Sequence, residues 1–211
     1  MVPTREEMET ALAARHGTEL QKKFCAASIA VCGLGGLGSN VCLCLARAGI
    51  GRLHIIDFDS VDISNLNRQQ YTADQIGMSK AEAMTKNLKA AAPYCDIKAD
   101  RMMISPENIE GLFDDEDIII EAFDDPEQKA MLTEEVLTRY PDKYFIAAAG
   151  MAGLGSANDI RTQRIGKRFY LCGDGVSDVA ELGSLFSARV MTCAAHEATV
   201  ALRIIAGEYE A

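Results

Sequence analysis

Residues 28–39 read Ser28-Ile29-Ala30-Val31-Cys32-Gly33-Leu34-Gly35-Gly36-Leu37-Gly38-Ser39. Five small or apolar residues run straight into glycine, the pattern of a strand buried on both faces. Gly33, Gly35 and Gly38 have G-x-G-x-x-G spacing, and an apolar helix is predicted from Leu37 to Ala48, with Gly49 and Gly51 stopping it. Glycines between a strand and a helix permit a tight turn and close backbone approach to phosphates. The helix N-terminus then faces those phosphates with unpaired N–H groups. Asp57 ends the next predicted strand, Arg52–Asp57, 24 residues after Gly33. A carboxylate there can accept from ribose hydroxyls. This much says nucleotide, with NAD as the default.

Outward from this unit the alternation continues. An amphipathic helix is predicted over residues 4–26, capped by Thr4 with Glu6 and Glu7 in its first turn. Residues 58–78 are a long polar loop. Ser79 caps a helix running to Ala92, closed by Pro93. Strands are predicted at Asp96–Arg101, Asp117–Ala122 and Tyr144–Ala149, and helices at Ser105–Leu112 and Pro126–Tyr140. A second glycine-rich stretch, Gly150–Gly155, precedes a hairpin over 157–172 that turns at Gly166-Lys167. An apolar helix follows over 185–206. Alternating strands and helices predict an α/β fold: a mostly parallel sheet with helices on both faces and an antiparallel C-terminal extension. One domain is expected over 1–211, with an N-terminal helix (1–27), a nucleotide-binding core (28–150) and a hairpin plus helix (151–211).

Composition narrows the partners. Formal net charge is −10, which argues against general binding to nucleic acid or to an anionic membrane. The first residues are too charged for a signal peptide, and no apolar run reaches membrane-spanning length. Seven cysteines, odd in number and without C-x-x-C pairs, read as reduced thiols of a cytoplasmic protein. No zinc is expected. His16 and His54 stand alone in the sequence and read as structural or surface residues.

ATP is separated from NAD by residues beyond the strand ends. These are Asp57-Phe58-Asp59, Ser64-Asn65-Leu66-Asn67-Arg68, Gly77-Met78-Ser79-Lys80 and Ala122-Phe123-Asp124-Asp125. Asn65, Arg68 and Lys80 would bring donors and positive charge to a triphosphate. Asp124 could hold Mg²⁺, which takes one or two carboxylates plus phosphate oxygens and water. Arg68 and Lys80 are read as exposed charges whose removal would affect chemistry and leave folding intact.

In this order, GLGGLGSN, DFD, SNLNRQ, GMSK and FDD resemble the motifs of the ThiF/MoeB/HesA adenylyltransferases, relatives of the ubiquitin-activating enzymes. The resemblance spans residues 28–150 and is nearest to the short ThiF-like branch of thiamine biosynthesis. It implies a Rossmann-like fold and ATP-dependent adenylylation of the C-terminal glycine of a small sulfur carrier (ThiS-like, ending in Gly-Gly). Carried over by position, Gly33, Gly35, Gly36 and Gly38 would pack against ATP and Asp57 would bind ribose. Asp59 and Ser64 would sit in the ATP site. Asn65, Arg68 and Lys80 would contact phosphates, and Asp124 would serve the metal. Asp125 stands where Asn is common, so its role is open. Arg68, Lys80 and Asp124 are the expected catalytic set.

The resemblance also implies a homodimer and a separate sulfur donor. It raises a thioester-forming cysteine, for which Cys172 is the better exposed candidate and Cys193 a core thiol. An arginine lent across the dimer would be Arg5 or Arg15. The alternatives are an adenylating enzyme acting on a modified tRNA base, an NAD-dependent oxidoreductase, and a non-catalytic partner subunit.

Overall fold

The computed structural model describes residues 2–211. Two helices, α1 (Arg5–His16) and α2 (Thr18–Ala26), stand where one was expected. Gly17 separates them at φ +86°, a conformation that breaks the helical path and that residues with a Cβ avoid. Thr4 does cap α1, in a reciprocal box with Glu7.

Strand β1 (Ser28–Cys32), helix α3 (Gly36–Ala48) and strand β2 (Arg52–Ile56) follow as read. The long loop contains two short 3₁₀ turns, Ile63–Asn65 and Ala73–Gln75. Next come α4 (Lys80–Ala91), capped by Ser79, β3 (Asp96–Asp100) and β4 (Ile118–Glu121). The predicted helix Ser105–Leu112 is a series of turns. Asn108 folds its side chain back, accepting from the Ser105 amide and donating to the Met103 carbonyl, and Gly111 has positive φ. Side-chain competition of this kind outweighs the signal of Pro106.

Helix α5 (Pro126–Arg139), β5 (Tyr144–Ala148), β6 (Arg161–Arg164), β7 (Phe169–Gly173), the short α6 (Val179–Leu182) and α7 (Ser187–Ala206) complete the chain.

The sheet order is β3-β2-β1-β4-β5-β7-β6, parallel except for the β6–β7 pair. The hairpin joins the sheet by its second strand: β7 lies parallel to β5, and β6 becomes the antiparallel edge. Alternate residues feed two cores. Ile29, Val31, Leu53, Ile55, Ile118 and Ile120 pack with α3, α4 and α7. Ala30, Cys32, Ile56, Ile119 and Phe145 pack with α5 and the 105–113 turns. His54 is buried between Glu116 and Asp100, with both ring nitrogens 2.9 Å from a carboxylate. No helix of the described residues is long and apolar enough to cross a membrane.

Candidate functional site

Strand order reverses between β1 and β4, so their carboxyl ends diverge and leave a crevice. A cavity of about 580 Å³ opens there. Gly33, Gly35, Gly36, Asp57, Asp59, Arg68, Lys80, Asp124 and Asp125 all line it. Residues as far apart in sequence as Gly33 and Asp125 are thus brought to one mouth.

The glycines do different jobs. Gly33 approaches the Ala122 carbonyl so closely that a Cβ would sit 2.8 Å from its oxygen. At Gly38 an added Cβ would fall 1.8 Å from the Gly33 carbonyl oxygen, so this glycine seats α3 against the turn and does not line the cavity. At Gly35 an added Cβ meets only Gln69 Nε2, at 3.8 Å. Packing therefore does not require glycine at 35; the open side belongs to whatever enters the cavity.

The Asp57 carboxylate holds the loop, accepting from the Leu34 amide at 2.6 Å and the Asp59 amide at 2.8 Å. Burial raises its pKa, and Lys80 and those amides offset part of the rise. Lys80, the first residue of α4, is buried: its Nζ lies 2.8 Å from Asp59 Oδ2 and 3.9 Å from Asp57 Oδ2, and the side chain is 8% exposed. This corrects the expectation of an exposed lysine. It is a paired cation built into the wall.

Arg68 is half-buried and, among the described residues, has only neutral partners, donating to the Ser64 carbonyl and to Asn67 Oδ1. Its backbone is sewn to the glycine loop. Asn40 donates to the carbonyls of Gly36 and Arg68, Ser39 Oγ accepts from the Gln70 amide, and Tyr71 donates to the Leu34 carbonyl at 2.8 Å. Ser64 and Asn65 do not line the cavity. They belong to an Asp62 turn, where the Asn65 side chain accepts from the Asp62 amide and the Asp62 carboxylate accepts from Ser64. They place Arg68 and stay outside the site.

Asp124 is exposed, with no side-chain hydrogen bond or ion pair among the described residues. Asp125 caps α5, accepting from the Glu127 and Gln128 amides. That settles its place in the fold and removes one oxygen from any ligand role.

Two features of the cavity were not anticipated. Met102, Met103, Ile104, Phe58 and Phe123 make an apolar end beyond β2 and β3. Lys129 also lines the cavity, its Nζ 2.9 Å from both oxygens of buried Glu121. Burial raises Glu121, and Lys129 offsets part of that rise.

Cys172 is fully buried, and burial pushes its thiol up to about 12, which corrects the expectation that it is the better exposed candidate. Cys193 is likewise buried and its thiol raised. Arg5 stacks over Tyr94 at 5.3 Å, and with Arg15 it lines a separate cavity of about 490 Å³ between α1 and the ends of α3 and α4. Among the described residues, no three His, Cys, Asp or Glu side chains gather as a metal-ligand set.

The chain and its fold are similar to known proteins. The ThiF family model matches residues 8–210. The chain belongs to the ThiF family. It is 35% identical over 137 residues to the adenylyltransferase and sulfurtransferase UBA4 of Scheffersomyces stipitis, covering 64% of this chain and 30% of that protein. It is 36% identical over 127 residues to the tRNA threonylcarbamoyladenosine dehydratase of Bacillus subtilis, covering 59% of this chain and 49% of that one. The chain thus spans about a third to a half of the length of these curated relatives. The fold matches that of the ATP complex of E. coli tRNA N6-threonylcarbamoyladenosine dehydratase with a TM-score of 0.85, at 22% identity and 98% coverage of both chains. The first glycine loop and Arg68 of the segment sewn to it line one side of the cavity.

Proposed function

We propose that this protein transfers adenylate from ATP to a carboxylate of its substrate. The observation that carries the reading is the single cavity that gathers open-faced Gly35, neutral-partnered Arg68, wall-bound Lys80 and unpartnered Asp124. The apolar end beyond β2 and β3 suits a base, and Asp57, at the end of β2, keeps lone pairs free for a ribose hydroxyl. The glycine loop would hold the phosphates. A substrate carboxylate attacks the α-phosphorus; the bond to pyrophosphate breaks, and pyrophosphate leaves with the electron pair. The carboxylate is already ionised at neutral pH, so no general base is needed. Arg68 and Lys80 then stabilise the charge gathering on the phosphate oxygens. Asp124 would hold Mg²⁺, which when bound neutralises phosphate charge; a lone free carboxylate fits an ion that otherwise takes phosphate oxygens and water.

The acceptor we favour is the C-terminal glycine of a small sulfur-carrier protein. Five carboxylates (Asp57, Asp59, Asp124, Asp125 and Asp178) line the cavity against three cations, of which Lys80 and Lys129 are already paired. Beyond the nucleotide, that balance and the chain's formal net charge of −10 suit a slender protein tail better than a tRNA. The identity to the B. subtilis tRNA enzyme favours a second reading, a modified tRNA base. The relatives above carry sulfur-transfer and tRNA names, so assignment to thiamine biosynthesis rests on the sequence resemblance alone. A homodimer belongs to the same proposal.

The test is ATP–pyrophosphate exchange. A carrier ending in Gly-Gly should support it, and the same carrier without its last glycine should not. Losing one residue withdraws the nucleophile by about 3.3–3.6 Å. Exchange that is indifferent to truncation would exclude the carrier, and exchange driven by tRNA instead would establish the second reading.

A further inference from the structure

The glycine-rich stretch 150–155 takes no part in holding a nucleotide in the reading above. It is shaped instead around a buried ion pair. Arg189, near the start of α7, is 6% exposed; Asp174, just past β7, is 7% exposed. One guanidinium nitrogen, Nη2, donates to Asp174 Oδ2, and Nη1 donates to the Ser156 carbonyl. The other Asp174 oxygen accepts from the amides of Val176, at 2.9 Å, and Ser177, at 2.8 Å. Ser177 Oγ in turn accepts from the Ala152 amide at 3.0 Å. A Cβ at Gly150 would fall 2.1 Å from Asp174 Oδ1, and one at Gly155 would fall 3.2 Å from the Arg189 guanidinium. The loop after β5 and the loop after β7, joined by the Asp174 amide on the Gly150 carbonyl and the Gly175 amide on the Ala149 carbonyl, are thus both tied to α7 through one pair of charges.

These loops form the side of the cavity opposite the glycine turn. Ala149–Ala152 and Ser177–Val179 line it there, whereas Gly33, Gly35, Gly36, Leu37, Asp57 and Lys80 line the β1–β2 side. Neither Arg189 nor Asp174 lines the cavity.

We propose that the Asp174–Arg189 pair is a positioning clamp that sets the acceptor-side wall, holding both loops in the arrangement that admits an extended, carboxylate-bearing tail. This rests on the adenylation reading. Arg189 acts through the loops and touches no reacting atom. The guanidinium fork serves two loops at once, which a lysine ammonium on a flexible stem cannot reproduce.

Two variants of the full chain test the clamp. Arg189→Lys keeps the charge, and Ser177→Ala removes the hydroxyl that accepts from the Ala152 amide and faces Asp174, without burying a charge. Each should leave ATP affinity within about 3-fold of wild type while raising the KM for a Gly-Gly-ending sulfur carrier about tenfold, the scale of one or two lost hydrogen bonds. Hydrogen exchange should quicken at the amides of Ala152, Val176 and Ser177 and stay unchanged at Leu34 and Asp59. Wild-type KM and wild-type exchange at those three amides in both variants would overturn the clamp. So would ATP affinity falling in step with carrier KM, which marks a general structural role. If the wild type supports no carrier-dependent pyrophosphate exchange, the carrier reading falls. The amide pattern then decides whether the two loops are clamped.

Discussion

Two glycine-rich turns flank one cavity, and they are glycine-rich for opposite reasons. In Gly33–Gly38 the tight glycines, 33 and 38, let backbone meet backbone, and Gly35 is left open toward the cavity. In Gly150–Gly155, Gly150 and Gly155 make room for the protein's own Asp174 and Arg189, and Gly153 for Leu182. The first turn leaves one glycine open toward the cavity, and the second is filled by its own chain. Glycine content therefore does not identify a ligand loop; what stands against the missing Cβ does.

The sharpest way to break this comparison is Gly38→Ala. Its Cβ would lie 1.8 Å from a backbone oxygen, so the loss should exceed about 3 kcal/mol or prevent folding. A folded variant with near wild-type Tm would show that the turn is looser than described. Lys80→Ala comes next, at about 3 kcal/mol, because it leaves Asp57 buried without its cation. Urea denaturation should separate it from Arg68→Ala, which loses little stability because Arg68 has no charged partner. Both should lose about 10²-fold in adenylation rate. Equal stability of the two variants would contradict the buried pairing of Lys80.

Acid titration probes the second turn. Burial alone would raise the Asp174 carboxyl, but the Ser177 and Val176 amides, the Ser177 hydroxyl and Arg189 outweigh it and hold the group at about 2. Its folded pKa lies below its unfolded value of 3.8. The stability it contributes is therefore present above pH 3.8 and lost as pH falls toward 2. The contribution is about 2 kcal/mol, and Asp174→Asn should remove that part of the acid dependence. An unchanged acid profile would contradict the strength of the pair. Gly35→Ala should have the smallest effect on stability, since its Cβ meets nothing closer than 3.8 Å. ATP affinity should nevertheless fall, and calorimetric titration showing wild-type binding would end the distinction between the two turns.

Helix and strand order were legible because both are written in local periods. The β1–α3–β2 unit, the Ser79 cap and the α7 span follow from apolar runs, caps and stops. The misreadings share a cause. At Gly17 and at Asn108, one residue's backbone angle or side-chain hydrogen bond overrode a periodic signal. The hairpin's turn was readable, but which of its strands would join the sheet was not, because that depends on pairing with β5.

The site divides along the same line. By itself the sequence determined that a glycine turn precedes a helix, that Arg68, Lys80 and Asp124 follow strand ends, and that no C-x-x-C pair exists. These are matters of residue type and spacing. Only the tertiary structure decided that Lys80 is buried, that Asp125 caps a helix, that Ser64 and Asn65 stand outside the cavity, and that Cys172 is sealed in the core. Burial, and the pairing of Asp174 with Arg189 across 15 residues of chain, arise from which elements pack together. A desolvated charge owes its state to neighbours that no local pattern names.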